Sequence, residues 1–381
     1  MKKIMTSALL FGAAMANAAT GAGAGPQGAN SVVGAVFAAT NDVANNEVIM
    51  YTRTEAGALK YVGNFATGGR GEGGINDPLQ AESSMTLTSD HKFLIVVNAG
   101  SSNVSVFAVY PNTLSLVDKK STQGGNPVSV TVHDDLVYVA NVGGTYHTAG
   151  FHLKPWGELE FIPNSKQPLS GLDTEPGAIA FSPDGTKVIV TERQTSNIDV
   201  FSVAADGSLT NGKVTASGGV EAFGARFAPS GALLVTLAGS GAVSSFAVNE
   251  DNSLTTLTAA SPSSGAATCW VIPAGGFAFA TSAITSSVSG YKLNSAGDLS
   301  PLGIVETEAS SQAAIFPAAG KTAFPLDIEA TSDNQFVYVV YSVLGKINGY
   351  QVSADGKTLT KIASVSPYTG TQIGVEGLAV Y

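Results

Sequence analysis

Pro176-Gly-Ala-Ile-Ala-Phe-Ser-Pro-Asp-Gly-Thr-Lys-Val-Ile-Val-Thr-Glu-Arg-Gln-Thr-Ser-Asn-Ile-Asp-Val-Phe201 holds three β-strands and the turns between them. Pro176 to Phe181 alternates small and apolar residues, and Ser182-Pro183-Asp184-Gly185 is tight-turn chemistry. Val188 to Thr191 is strongly apolar, and Ile198 to Phe201 ends on an aromatic. A period of two between Pro, Asp and Gly punctuation marks antiparallel strands. No segment sustains a helical period beyond two turns.

Six further segments repeat the opening of this stretch. They are Ser84-Met-Thr-Leu-Thr88, Pro127-Val-Ser-Val-Thr-Val132, Phe223-Gly-Ala-Arg-Phe-Ala228, Ala267-Thr-Cys-Trp-Val-Ile272, Pro325-Leu-Asp-Ile-Glu-Ala330 and Val375-Glu-Gly-Leu-Ala-Val380. Successive starts lie about 43 to 58 residues apart, the period of a four-stranded propeller blade. Val375 to Tyr381 reads as an innermost strand with no strand after it, whereas Val32 to Thr40 and Glu47 to Arg53 lack an innermost partner. Pairing them removes the edges an open ring would leave. The expected fold is all-β, a seven-bladed β-propeller whose C-terminal strand closes the first blade.

Composition agrees. Charged residues are 13% of the chain while Gly contributes 44 of 381, a balance suited to turn-rich β structure. That length suggests two domains, but a closed ring escapes the limit because each repeat adds its own slice of core. The formal charge of −10 disfavours nucleic acid and anionic membranes, which need a basic footprint. Cys269 is the only cysteine, so burial and ring closure, rather than an internal disulfide, hold the fold.

Residues 1–18 read as an export signal: Lys2 and Lys3, an apolar run to Ala16, and the small-x-small pattern Ala16-Asn17-Ala18. Residues 19–30 read as a Gly/Ala-rich tether, and 31–381 as the propeller. No apolar run reaches the roughly 18–20 residues of a membrane helix. The expectation is a monomer, secreted or held in the cell wall.

In such a ring, the loops entering each innermost strand and those joining strands two and three gather on one face around the channel. Glu72, Asp77, Glu82, Asp173, Glu175, Glu192, Glu221 and Glu376 fall there, against Arg70 and Arg193. This acidic face is either a solvated rim or an oxygen-rich throat for Ca²⁺ or a polyhydroxylated ligand, although no EF-hand-like spacing accompanies it. His147 is the only histidine the repeat places on that face. It reads either as a general base within reach of Glu192 or as an exposed loop residue. Arg226 stands in a mostly apolar column and must be paired; Asp327, Glu329 or a bound carboxylate are the candidates. Gly68 to Gly74 lacks the Lys-Ser/Thr of a phosphate cradle and reads as a flexible lip over the channel. The G-x-S-x-G, H-E-x-x-H and C-x-x-C motifs are absent.

The segments from Gly125 to Asn141 and from Phe181 to Phe201, with Ala267-Thr-Cys-Trp-Val271, resemble the lactonase family of seven-bladed propellers, which includes 6-phosphogluconolactonases and fungal 3-carboxymuconate cyclases. The likeness covers residues 32–381 and suggests a secreted, fungal-type member. It implies a small organic lactone as substrate, but the transfer residue by residue is poor. Where the cyclases carry a His and an Arg, this chain has Gly177 and Phe223. The expected glutamate falls near Leu237 and Ala238, and a further arginine near Ser282 to Thr285 has no counterpart.

Two functions follow. The first is a lactone hydrolase or isomerase in which His147 is the base, Glu192 orients it, and Arg193 or Arg226 stabilises the oxyanion. It needs no cofactor. The second is a non-catalytic propeller whose rim loops bind a protein or glycan.

Overall fold

The computed structural model describes residues 30–74, 77–144, 147–171, 173–310, 320–366 and 374–381, with only the backbone of His147. The proposed signal and nearly all of the tether lie outside these residues. Seven four-stranded antiparallel sheets make the blades. Their innermost strands are Met85–Leu87 in blade two, Gly125–His133 in three, Pro176–Phe181 in four, Ala222–Phe227 in five, Thr268–Ala274 in six and Pro325–Ala330 in seven. Leu378–Val380 completes blade one, beside Val32–Ala39.

That closure is dense. Val36, Phe37 and Ala38 pair with Val380, Ala379 and Leu378, and Ala35 and Tyr381 exchange two backbone hydrogen bonds of 3.1 Å. The Nε of Arg53 donates to the Tyr381 carbonyl at 3.1 Å. A Cβ at position 34 would lie 1.9 Å from that carbonyl oxygen, so Gly34 is what lets the last strand seat.

Two side-chain devices repeat. At the turn after the inner strand, a hydroxyl donates to an Asp two residues on and accepts the N–H five residues on. Thr88, Asp90 and Phe93 do this in blade two, Ser182, Asp184 and Lys187 in blade four, and Thr331, Asp333 and Phe336 in blade seven. The second device joins blades. Buried Thr191, Thr236 and Thr281, on the second strands of blades four, five and six, each donate to an inner-strand carbonyl of the next blade: Phe223, Cys269 and Leu326. Each bond is worth about 1 kcal/mol net, but each also fixes the angle at which one blade meets the next.

The Gly-rich loop is tied to the loop between the first two strands of blade one. Gly71 and Gly73 donate to Asp42 and Asn41 at 2.7 and 2.9 Å. A Cβ at position 71 would lie 2.1 Å from the Asn41 backbone, and one at position 100 would lie 2.1 Å from the Gly71 oxygen. Gly71 and Gly100 permit close approach of chains, while Gly68, Gly73 and Gly74 take φ of 71°, 70° and 111°, where a side chain would be strained.

Candidate functional site

The channel is occupied by the chain itself. After Pro78 the segment to Ser84 descends along the axis, bonding to blades on several sides of the ring. The N–H groups of Leu79 and Ala81 donate to the Glu376 carboxylate at 2.7 and 3.4 Å, and the Glu82 N–H donates to Gly177 of blade four at 2.7 Å. Ser129 of blade three donates to the Glu82 carbonyl at 2.6 Å. From blade six, the Trp270 indole donates to the Ala81 carbonyl at 3.2 Å, and the Val271 N–H donates to Glu82 Oε1 at 3.1 Å. Every backbone group that enters the channel therefore needs a partner from the ring, as burial demands.

Sequence reasoning placed Glu82 on a rim loop and missed this descent. A signal was present in Gly177 and Gly224, which interrupt two inner strands. A Cβ at 224 would sit 2.6 Å from Glu82 Oε2, and one at 177 would sit 2.6 Å from the Phe223 carbonyl.

Below the plug lies Arg226. Its Nε is 3.4 Å from Glu82 Oε1, and its Nη2 pairs with Glu329. Asp327 accepts the Gly377 N–H at 2.8 Å. Burial raises the Glu82 carboxyl to about 7, against the opposing pull of Arg226, and raises Asp327 to about 7. Arg226 and Glu329 border a polar cavity of about 200 Å³ at the opposite mouth, with Thr86, His91 and Leu378.

Above the plug lies Arg193, whose side chain is 9% exposed. Its Nη1 donates to Gln80 at 2.7 Å and its Nη2 to Glu175 at 2.8 Å, while the guanidinium carbon stands 5.7 Å from the centre of the Phe223 ring. Its Nε is buried without an acceptor. Around it are Asp77, raised to about 6 chiefly by burial, and Glu221, raised by the same cause. One cation thus faces several carboxyl groups, two of them pushed up by burial.

Glu192 and Arg193 are neighbours in sequence but take different surroundings. Glu192 accepts from the Ser170 N–H at 2.7 Å and from the hydroxyls of Ser170 and Thr195. Burial pushes its carboxyl up, but hydrogen bonds from Asp199, Ser170 and Thr195 outweigh this and hold it low. Asp199 carries the shared proton and is raised to about 9, by burial first and then by Glu192. His147 begins the third strand of blade three, its backbone paired with Asn141, and so stands on the rim at which Glu192 ends its own strand. Its imidazole lies outside the described residues. Among those residues, no group of three or more His, Cys, Asp or Glu side chains is arranged for a metal ion. The Glu376 carboxylate is held by the Leu79 and Ala81 N–H groups, whereas Glu82 Oε2 is buried without a hydrogen-bond partner.

Among the described residues no helix is long and apolar enough to cross a membrane. No curated protein matches the chain. Among solved structures, a proposed 6-phosphogluconolactonase of Bacteroides uniformis superposes with a TM-score of 0.69 at 15% identity, over 91% of this chain and 99% of that one. A periplasmic gluconolactonase of Pseudomonas aeruginosa gives 0.67 at 16% identity, over 92% and 99%. A proposed 6-phosphogluconolactonase of Bacteroides fragilis gives 0.67 at 17%, over 91% and 98%. At such identities the likeness is one of fold. Residues 41–145 and 142–273 match the model of the lactonase family, a seven-bladed β-propeller. These segments span more than half of the sequence, and the chain belongs to the lactonase family.

Proposed function

We propose that this chain is an exported hydrolase that opens an organic lactone at the upper channel mouth. Family membership supports the lactone. The observation that carries the location is Arg193, a guanidinium at the mouth held on Phe223, Gln80 and Glu175, with Glu175 its one ion-paired carboxylate among the described residues. In lactone opening, water adds to the ring carbonyl, a base takes the water proton, and the carbonyl oxygen becomes an oxyanion. Arg193 is the proposed oxyanion partner and His147 the proposed base. Glu192, already saturated by Ser170, Thr195 and Asp199, is assigned to holding blade four. Arg226, clamped between Glu82 and Glu329, is assigned to holding the ring. Ring closure by an isomerase would use the same groups in reverse. With Asp77, Glu175 and Glu221 around a single guanidinium, a neutral lactone suits the mouth better than a phosphorylated one.

The test is acid release from neutral, acidic and phosphorylated lactones, with and without Ca²⁺. Neutral lactones should be opened, at a rate rising with pH through about 6.5, the ordinary histidine value. His147→Ala should lower kcat roughly 10²–10⁴-fold. No turnover of any lactone, together with glycan or protein capture by the Gly68–Ser83 and Gly320–Phe324 loops, would replace this reading with the non-catalytic one. For export, the mature N-terminus should lie at or near Ala19.

A further inference from the structure

Gln80 is an exposed residue at the upper end of the plug, and its backbone is fixed from both flanks. The N–H groups of Leu79 and Ala81 donate to the buried Glu376 carboxylate at 2.7 and 3.4 Å, and its own N–H donates to Asp77 Oδ1 at 2.8 Å. Three consecutive N–H groups thus end on two carboxyl groups. They hold Gln80 at a φ of 51°, a left-handed conformation that a residue with a side chain keeps only where its surroundings impose it.

One contact orients the side chain. Gln80 Oε1 accepts from Arg193 Nη1 at 2.7 Å. A guanidinium only donates, so the amide must turn its oxygen to Arg193 and its NH2 the other way. Among the described residues no acceptor meets that NH2. Accepting from a cation also polarises the amide and strengthens its remaining N–H groups as donors. Arg193 is itself placed by the Phe223 ring at 5.7 Å, by Glu175 at 2.8 Å, and by Gly177, where a Cβ would lie 3.1 Å from Arg193 Cγ. A guanidinium and a polarised amide therefore stand side by side at the mouth, both rich in N–H groups.

We propose that the Gln80 amide is the second donor to the oxyanion of lactone opening, beside Arg193. This rests on the reading that Arg193 marks the site. As water adds to the ring carbonyl and the base takes its proton, an electron pair of the C=O bond moves onto the carbonyl oxygen. That oxygen takes hydrogen bonds from the Arg193 guanidinium and the Gln80 NH2. On collapse the pair returns, the acyl C–O bond breaks, and its electrons leave with the ring oxygen. The ring oxygen takes up the proton that the base removed from water, so lactone and water give the hydroxy acid.

Two substitutions separate donation from support. Gln80→Glu keeps an oxygen for Arg193 but loses the NH2 and adds a second carboxylate. Gln80→Met stays neutral and of similar length but has neither oxygen nor NH2. At an exposed position both should leave the melting transition unchanged. A donor role predicts that each lowers kcat for δ-valerolactone roughly 10²–10³-fold with KM little changed, because the contact forms in the transition state. Loss in Gln80→Met alone would make Gln80 a support for Arg193, and loss in Gln80→Glu alone would make its neutrality the whole of its part. Either result, or wild-type kcat in both variants, would overturn the donor role while leaving the lactone reading in place. Absence of turnover by the wild-type protein would overturn the two together.

Discussion

Arg193 and Arg226 sit on the same channel, one above the plug and one below it, and each faces buried carboxyl groups. Below, the guanidinium of blade five bridges Glu82 on the plug and Glu329 of blade seven, so it ties separate parts of the ring together. Above, the guanidinium rests on an aromatic ring, shares two acceptors on rim loops, and keeps its Nε without one. Both guanidinium groups have a buried Nε without an acceptor; they differ in what else holds them, two carboxylates from separate parts of the ring below and one carboxylate with a neutral amide above. A guanidinium matched by one carboxylate keeps charge for a developing oxyanion; one shared between two carboxylates has less to offer.

The comparison breaks most completely if the ring does not depend on its own closure. Deleting Val375 to Tyr381 removes the inner strand of blade one and the Glu376 anchor of the plug, and should abolish cooperative unfolding. A truncated protein with an unchanged melting transition would contradict this. Next in size is Arg226→Leu, which leaves Glu82 and Glu329 buried without their cation. Loss of one partner of a buried pair typically costs about 3–5 kcal/mol, measurable by urea unfolding. A loss below about 1 kcal/mol would mean that the lower cluster is no tie.

A smaller effect follows from pH. Glu82 and Asp327 have folded values of about 7, above the ordinary carboxylate range of about 4. The folded state therefore binds protons that the unfolded state has released. The stability this contributes is complete below about pH 4 and is lost as pH rises through about 7. Melting temperature should fall across that window, and Glu82→Gln should flatten the fall. A transition that rises from pH 5 to 8 would reverse the assignment.

The smallest expected effect is at Asp199, whose proton is already held up to about 9. Asp199→Asn is nearly isosteric, and near pH 7 it should change stability by less than about 1 kcal/mol. Its signature is loss of the stability step near pH 9, where the native Asp199–Glu192 pair gives up its shared proton.

The blades and their closure were legible because they are written locally, in alternation and in the Ser-Pro-Asp-Gly type of turn. Arg226 was legible as a charge in an apolar column. The plug was not, because its partners Glu376, Gly177 and Trp270 lie far away in sequence and meet only when the ring closes. Gly68 to Gly74 carried an ambiguous signal for a related reason. Glycine signals either freedom or close approach, and only the neighbouring chain, here Asn41, shows which. Asp77 was visible as one acid among eight on the face, but its bond to Gln80, whose side chain in turn holds Arg193 of blade four, was not.

The most direct test of the division between the two arginines is acid release from δ-valerolactone by the wild type, Arg193→Gln and Arg226→Gln, each with its melting curve. The account predicts wild-type turnover and a roughly 10²–10³-fold loss in kcat for Arg193→Gln at an unchanged transition. Arg226→Gln should melt earlier while its folded fraction keeps the wild-type kcat. Full activity in Arg193→Gln, with the loss appearing instead in folded Arg226→Gln, would contradict it.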